Sequence, residues 1–304
     1  DRKEDKIMVG KQERRYQRMI TVVLALISLI MVIPLVLLVV ASFTSNNEIV
    51  LHGYSFFPKE LSLEAYRYIW NERAQVFHAY GITILVTAIG TTIGVMMTLL
   101  YAYVLAHEKF PGKTFLAFYL FFTMLFNGGL VPTYIMYTRY LHMKNTIPAL
   151  IIPGLLMSAF NVILTRTYIQ SNVPAALSEA AKIDGATEFQ VFRKVGRPMC
   201  KPIIATVGLF AGLGYWNDWT NGLYYITDTN KFSIQQLLNN MIKNIEFLSK
   251  NANSNINLAS VGGGIPQETV RMAIAIVGLL PILIVFPFVQ KYFVKGISIG
   301  AVKG

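Results

Sequence analysis

Six stretches of this chain each run apolar for close to the roughly 20 residues that a helix needs to cross a bilayer. They fall at about Met19–Phe43, Tyr80–Ala106, Thr114–Tyr137, Thr146–Tyr168, Pro202–Trp219 and Val270–Tyr292. Runs of this length define the expected fold class, an all-α integral membrane protein with six transmembrane helices. Composition agrees, because 54% of the 304 residues are hydrophobic and only 14% are charged, against roughly 25% charged residues in a soluble domain. A chain this apolar cannot cover itself with polar surface. The third run is interrupted by Asn127-Gly128-Gly129 and by Pro132, so a kink or break is expected there. Broken helices at membrane depth are tolerated only where protein or a water-filled cavity satisfies the freed backbone groups.

The net charge of +11 is no nucleic-acid footprint, since the basic residues lie between the apolar runs rather than on one polar domain. They read as a topology signal instead. Six spans put both termini on one side, and an inner N-terminus leaves 18 of the 27 lysines and arginines on inner segments, with acidic residues evenly split. The positive-inside rule therefore predicts that both termini are cytoplasmic. The resulting division is a cytoplasmic segment 1–18, a permeation domain 19–292 and a cytoplasmic tail 293–304. The opening charged stretch and the long first run do not match a cleavable signal peptide. Because the chain does not begin with methionine, residues before Asp1 are expected. Outside, 44–78 carries Trp70 and several tyrosines, which suits a short interfacial helix. The external loop 222–268 combines a helical apolar pattern through Phe232–Ile242 with an Asn-rich, Gly-rich stretch, read as an amphipathic helix and a flexible loop.

The one long inner loop, 169–201, predicts two short helices meeting at a sharp turn. Pro174 suits a first helical position and Gly185 a left-handed residue closing the first helix. Thr187 with Gln190 three residues on forms a capping box for the second, which Pro198 and Pro202 stop. Leu177, Ala180, Ala181 and Asp184 recur at helical spacing on one face. The alanines permit close approach, and Glu179 and Asp184 can pair with basic groups. These features suit either a wedge seated in a soluble partner or an amphipathic helix lying on headgroups.

The residue pattern decides between them. Glu179-Ala180-Ala181-x-x-Asp184-Gly185-Ala186, followed by Phe192 and Pro198, resembles the signature loop of permease subunits of binding-protein-dependent ABC importers. The departure is Arg197, where the family usually carries leucine. The resemblance covers nearly the whole chain, including a tail ending Gly300-Ala-Val-Lys-Gly304, and is strongest to maltose-type permeases of the carbohydrate uptake family. Phe126–Tyr134 and Trp216-Asn217-Asp218-Trp219 look like a Gram-positive branch handling complex oligosaccharides. The resemblance implies that the loop is a cytoplasmic coupling helix between spans four and five, seated on an ATPase. It also implies the partners: a second homologous permease, two ATPase subunits and an extracellular solute-binding lipoprotein, in the bacterial plasma membrane.

No catalytic or metal constellation stands out. Gly112-Lys113-Thr114 resembles the end of a phosphate-binding loop, but position 107 is His where that motif needs Gly. ATP and Mg are therefore expected on the partner ATPase, with no cofactor bound by this chain. The four histidines are scattered, and Cys200 reads as a packing residue. Asn127, Asn161, Trp216, Asn217 and Asp218 are candidates for the substrate path, because sugars are held by flat rings together with amides and carboxylates. The competing readings are an interfacial tryptophan, a turn cap and helix–helix hydrogen bonding. Gly90/Gly94 and Gly208/Gly212 have the spacing of close helix contacts. The expected function is half of a translocation path for a sugar or oligosaccharide. A non-sugar solute (glycerol phosphate, polyamine or peptide) is the alternative, and a secondary transporter a further one.

Overall fold

The computed structural model describes residues 2–107, 110–252 and 267–301. Helix dominates, and the β pairing among these residues is an isolated antiparallel bridge between Thr44 and Leu61. The chain divides into two compact units, one of residues 1–72 with 242–279 and the other of 73–241 with 280–304.

The first unit opens with α1 (Arg2–Ser42), a single helix that continues through Pro34. Short helices α2 (Asn46–His52) and α3 (Glu64–Asn71) follow. α3 buries Ala65 and Ile69 and leaves Trp70 62% exposed, the amphipathic arrangement expected of an interfacial helix. Tyr66 on α3 ties back to the end of α1 by a hydroxyl contact with Ser42 at 2.8 Å and a ring stack on Phe43.

The second unit is built on α4 (Arg73–Ala106). Then come α5 (Lys113–Leu125) and α6 (Leu130–Ile135), the latter continued by a π-turn over Met136–Tyr140. The two helices meet at 114°, so the break expected at Asn127-Gly128-Gly129 is present. Pro132 takes no part in it, since it lies within the first turn of α6, where its missing N–H has no intrahelical partner to lose. The fourth apolar run is not one helix. α7 (Pro148–Ile151) and α8 (Ala159–Asn172) are separated by a non-helical stretch containing Pro153 and Gly154, and Gly154 adopts φ +73°, a conformation only glycine takes at no cost.

The inner loop contains α9 (Ala175–Ile183), α10 (Glu188–Val191), a π-turn over Phe192–Gly196 and the three-residue α11 (Arg197–Met199). α12 (Lys201–Asn217) and α13 (Thr220–Tyr225) lead to α14 (Ile234–Ala252). Ile234, Leu237, Leu238, Met241 and Ile245 on α14 are buried, matching the helical spacing anticipated for the external helix. The Asn-rich and Gly262–Gly264 stretch lies outside the described residues. The last helix, α15 (Gln267–Ala301), runs through Pro281 and Pro287.

By length and composition, Arg15–Ser42, Arg73–Ala106 and Gln267–Pro287 can each cross a membrane, and the described residues hold up to five spans if each of two bent pairs counts as one. Among the described residues, two buried clusters lie in the second unit. One joins Leu99, Tyr103, Tyr168, Phe192, Cys200 and Ile203. The other joins Val86, Leu150, Ile151, Tyr215 and Tyr225.

Candidate functional site

The α9–α10 hairpin is closed by two complementary caps. At the end of α9, Gly185 adopts φ +83°. Its N–H donates to the Lys182 carbonyl, while the Ala186 N–H reaches back to the Ala181 carbonyl at 2.9 Å. This is the paired pattern of a Schellman motif, which satisfies carbonyls left open at a helix end. Immediately afterwards Thr187 Oγ1 accepts from the Gln190 N–H at 3.3 Å, and Gln190 Oε1 accepts from the Thr187 N–H at 2.9 Å. The expected capping box is complete. A salt bridge from Lys182 to Glu188 spans the turn.

Two details of the loop differ from the sequence reading. Pro174 precedes α9 as its N-cap, in extended conformation, rather than occupying the first turn. Pro198 lies inside the second helical stretch and does not stop it. The preceding π-turn, in which the Arg197 N–H bonds the Phe192 carbonyl, displaces the carbonyls that its ring would strike in a regular helix. The chain bends instead at Cys200, by 79°.

The hairpin presents Leu177, Ile183 and Phe189 at 47%, 86% and 63% exposure. Glu179, Ala180, Asp184 and Gly185 are also exposed, while Ala181 and Ala186 are half-buried. The face inferred from spacing is thus rotated, with Ala181 turned partly toward the buried Ser178 side. Behind it, Val191, Phe192 and Cys200 are buried, and burial pushes the Cys200 thiol up to about 11.

The break between α7 and α8 is repaired from α12 and α13. Tyr215 Oη donates to the Ile151 carbonyl and Asn221 Nδ2 to the Pro153 carbonyl, both at 2.9 Å and both buried. Beside the break is a cavity of 380 Å³ lined by Gly154, Leu155, Ser158, Phe160, Asn161, Thr98 and Phe210. Asn161 is only 9% exposed, yet its side-chain amide makes no hydrogen bond among the described residues.

The other path candidates are not brought to this cavity. Trp216 lines a separate apolar groove of 460 Å³ with Ala88, Gly208, Gly212 and Phe286. Asn217 donates to the Leu213 carbonyl of its own helix. Asp218 Oδ1 accepts from the N–H groups of Thr220 and Asn221, capping α13. Asn127 Oδ1 accepts from the Gly129 N–H within the α5–α6 break. Sequence reasoning missed Tyr215, Asn221, Phe160 and Phe210, although Pro153-Gly154 inside an apolar run marked the place. Among the paired glycines, a Cβ at Gly90 would lie 2.4 Å from the Tyr215 ring, and one at Gly94 would lie 2.7 Å from the Leu156 carbonyl. Gly208 and Gly212 have ordinary clearances of 3.8 and 3.6 Å. No group of three His, Cys, Asp or Glu side chains converges among the described residues.

Among the described residues, three helices long and apolar enough to cross a membrane, with a doubly capped hairpin between the second and third of them, define a polytopic membrane protein. Residues 90–299 match the family described as the binding-protein-dependent transport system inner membrane component, and the chain belongs to that family. It is 34% identical over 293 residues to the polygalacturonan/rhamnogalacturonan transport system permease protein YtcP of Bacillus subtilis, covering 96% of this chain and all of that one. Protein LplC of the same organism is 34% identical over 275 residues, 90% of each chain. In three dimensions the chain is similar to a bacterial ABC transporter involved in the import of the acidic polysaccharide alginate. That match has a TM-score of 0.73 at 27% identity and covers 93% of this chain and 98% of the other. The protein is a membrane permease subunit of an ABC importer, and ATP hydrolysis lies in separate subunits.

Proposed function

We propose that this subunit forms half of a translocation path for a sugar or oligosaccharide handed over by an extracellular binding protein. In this reading six spans are formed by α1, α4, α5 with α6, α7 with α8, α12 and α15, with both termini cytoplasmic. A second homologous permease completes the path, and two ATPase subunits holding ATP and Mg sit below. The α9–α10 hairpin is the coupling element, with Glu179, Ala180, Ala181, Asp184, Gly185 and Ala186 at its contact with the ATPase. The observation that carries this is the hairpin itself. Its caps fix it rigidly, while Leu177, Ile183 and Phe189 remain exposed, as a wedge awaiting a cleft requires. ATP binding closes the ATPase pair, moves the wedge and switches the bundle between two packings, a shift driven by differential affinity for the two states.

The carbohydrate assignment draws on the relatives' names and on the cavity at Asn161. An unpaired amide, the hydroxyl residues Thr98 and Ser158, and the rings of Phe160 and Phe210 suit sugar hydroxyls and sugar faces. Trp216, Asn217, Asp218 and Asn127 stand as further path residues of lesser support.

Three measurements test the reading. Affinity purification of this chain recovers an ATPase, and Gly185→Val preserves insertion while abolishing uptake. Normal uptake by that variant removes the coupling role. Calorimetric titration of the cognate binding protein with neutral and acidic oligosaccharides, glycerol phosphates, polyamines and peptides assigns the cargo. Binding of a non-sugar alone removes the carbohydrate assignment.

A further inference from the structure

The π-turn Phe192–Gly196 is the place where the hairpin meets α4. Gly196 has ordinary helical angles, φ −61° and ψ −57°, so its backbone does not require glycine. Space requires it, because a Cβ there would lie 2.9 Å from Cε2 of Tyr103. The Tyr103 ring, 9% exposed, sits on this glycine near the end of α4. Phe192 meets it edge-on with centroids 5.0 Å apart, and His107 flanks it at 4.5 Å. The backbone on the other side is a wide turn, a local form found mostly as single turns at functional sites. It is followed by the proline that a regular helix would reject.

From this geometry we propose that Tyr103, seated on Gly196, is the positioning residue through which the α9–α10 hairpin drives α4. The inference rests on the coupling role proposed above for that hairpin. A glycine under an aromatic ring gives a tight contact with no side chain on the glycine's side, so the ring can slide across that seat while Phe192 keeps its edge-on contact. α4 in turn packs against α12 by the Gly90–Tyr215 contact, which places the same helix against both the loop and the repaired break. A tilt of the hairpin is thereby delivered to the walls of the Asn161 cavity by one side chain.

The test uses the complete transporter reconstituted in vesicles, with ATP hydrolysis and sugar uptake measured on the same preparation. Tyr103→Ala is expected to retain the co-purified ATPase and its hydrolysis, while uptake per ATP falls about tenfold, within the range of a coupling free energy. Tyr103→Phe keeps the ring and uptake, and Gly196→Ala lowers uptake per ATP as Tyr103→Ala does. Tyr103→Leu, which preserves apolar bulk without a ring, also uncouples. The proposal is overturned if Tyr103→Ala and Tyr103→Leu transport with the wild-type ratio. It is equally overturned if both lose the ATPase, which makes the ring a packing element alone. Gly185→Val measured in parallel separates the two readings. If that variant uncouples and the Tyr103 variants do not, only the role of Tyr103 fails; if it transports normally, the coupling role itself fails.

Discussion

Asn145 holds Thr227 by both ends of its side-chain amide. Its Oδ1 accepts from the Thr227 N–H at 2.6 Å, and its Nδ2 donates to Thr227 Oγ1 at 2.8 Å. The same Oδ1 accepts from the Asp228 N–H at 3.1 Å, and Asn145 itself stands at φ +59°. Asparagine is among the few residues that combine such an angle with local hydrogen bonding. Asn145→Gly keeps the angle and loses the bonds, for a cost of about 0.5–1.5 kcal/mol per bond. Asn145→Ala adds about 1–2 kcal/mol of backbone strain. Thermal unfolding of the purified complex should rank wild type above Gly above Ala. A reversed order of the two variants refutes the account.

The capping box makes a local prediction. Thr187→Ala removes the acceptor for the Gln190 N–H, costing the helix about 0.5–2 kcal/mol. Hydrogen exchange at Glu188–Val191 should accelerate while exchange in α12 stays unchanged. Uniform acceleration across both helices contradicts a local role.

Gly90 and Gly208 should respond differently to the same change. Gly90→Ala drives a methyl into the Tyr215 ring, an overpacking worth about 1–3 kcal/mol. Gly208→Ala meets its nearest atom at 3.8 Å and is expected to stay within about 0.5 kcal/mol. Melting temperatures of the two variants, compared in one detergent, check this. Equal losses sink the argument.

Asn161→Leu separates stability from function. The Asn161 amide lines the cavity and bonds no other described residue, so an apolar side chain of similar size breaks no intramolecular hydrogen bond. The variant should therefore melt no lower than the wild type, yet transport more slowly at low sugar concentration. A destabilised variant with normal uptake reverses both halves of the assignment.

Cys200 should be chemically silent. It is 1% exposed, and a thiol pushed up to about 11 carries almost no thiolate at neutral pH, the form that reacts. A fluorescent maleimide at pH 7.5 should label the denatured chain and spare the native one. Rapid labelling of native protein places the thiol elsewhere.

Most of the helical elements were legible because the apolar runs are long and their ends carry strong local chemistry. Gly185 and the Thr187–Gln190 pair fixed the hairpin turn without help from the rest of the chain. The fourth run misled because hydropathy reports burial and not helicity. Its seven irregular residues are as apolar as a helix, and only side chains 60 or more positions away make that backbone tolerable. The path candidates were legible as chemistry and not as geometry. Asp218 and Asn127 carry the chemistry of a sugar site, but a carboxylate or amide beside a turn bonds its nearest free N–H first. That local competition is invisible in residue type.

The repaired break also imposes an order of events during biogenesis. The carbonyls of Ile151 and Pro153 find their donors on Tyr215 and Asn221, residues made much later by the ribosome. Until then the irregular backbone lacks its intramolecular donors, and a bare group in hydrocarbon costs several kcal/mol. Early exposure of this stretch to lipid is therefore penalised, and the penalty ends only when Tyr215 and Asn221 have been made and docked.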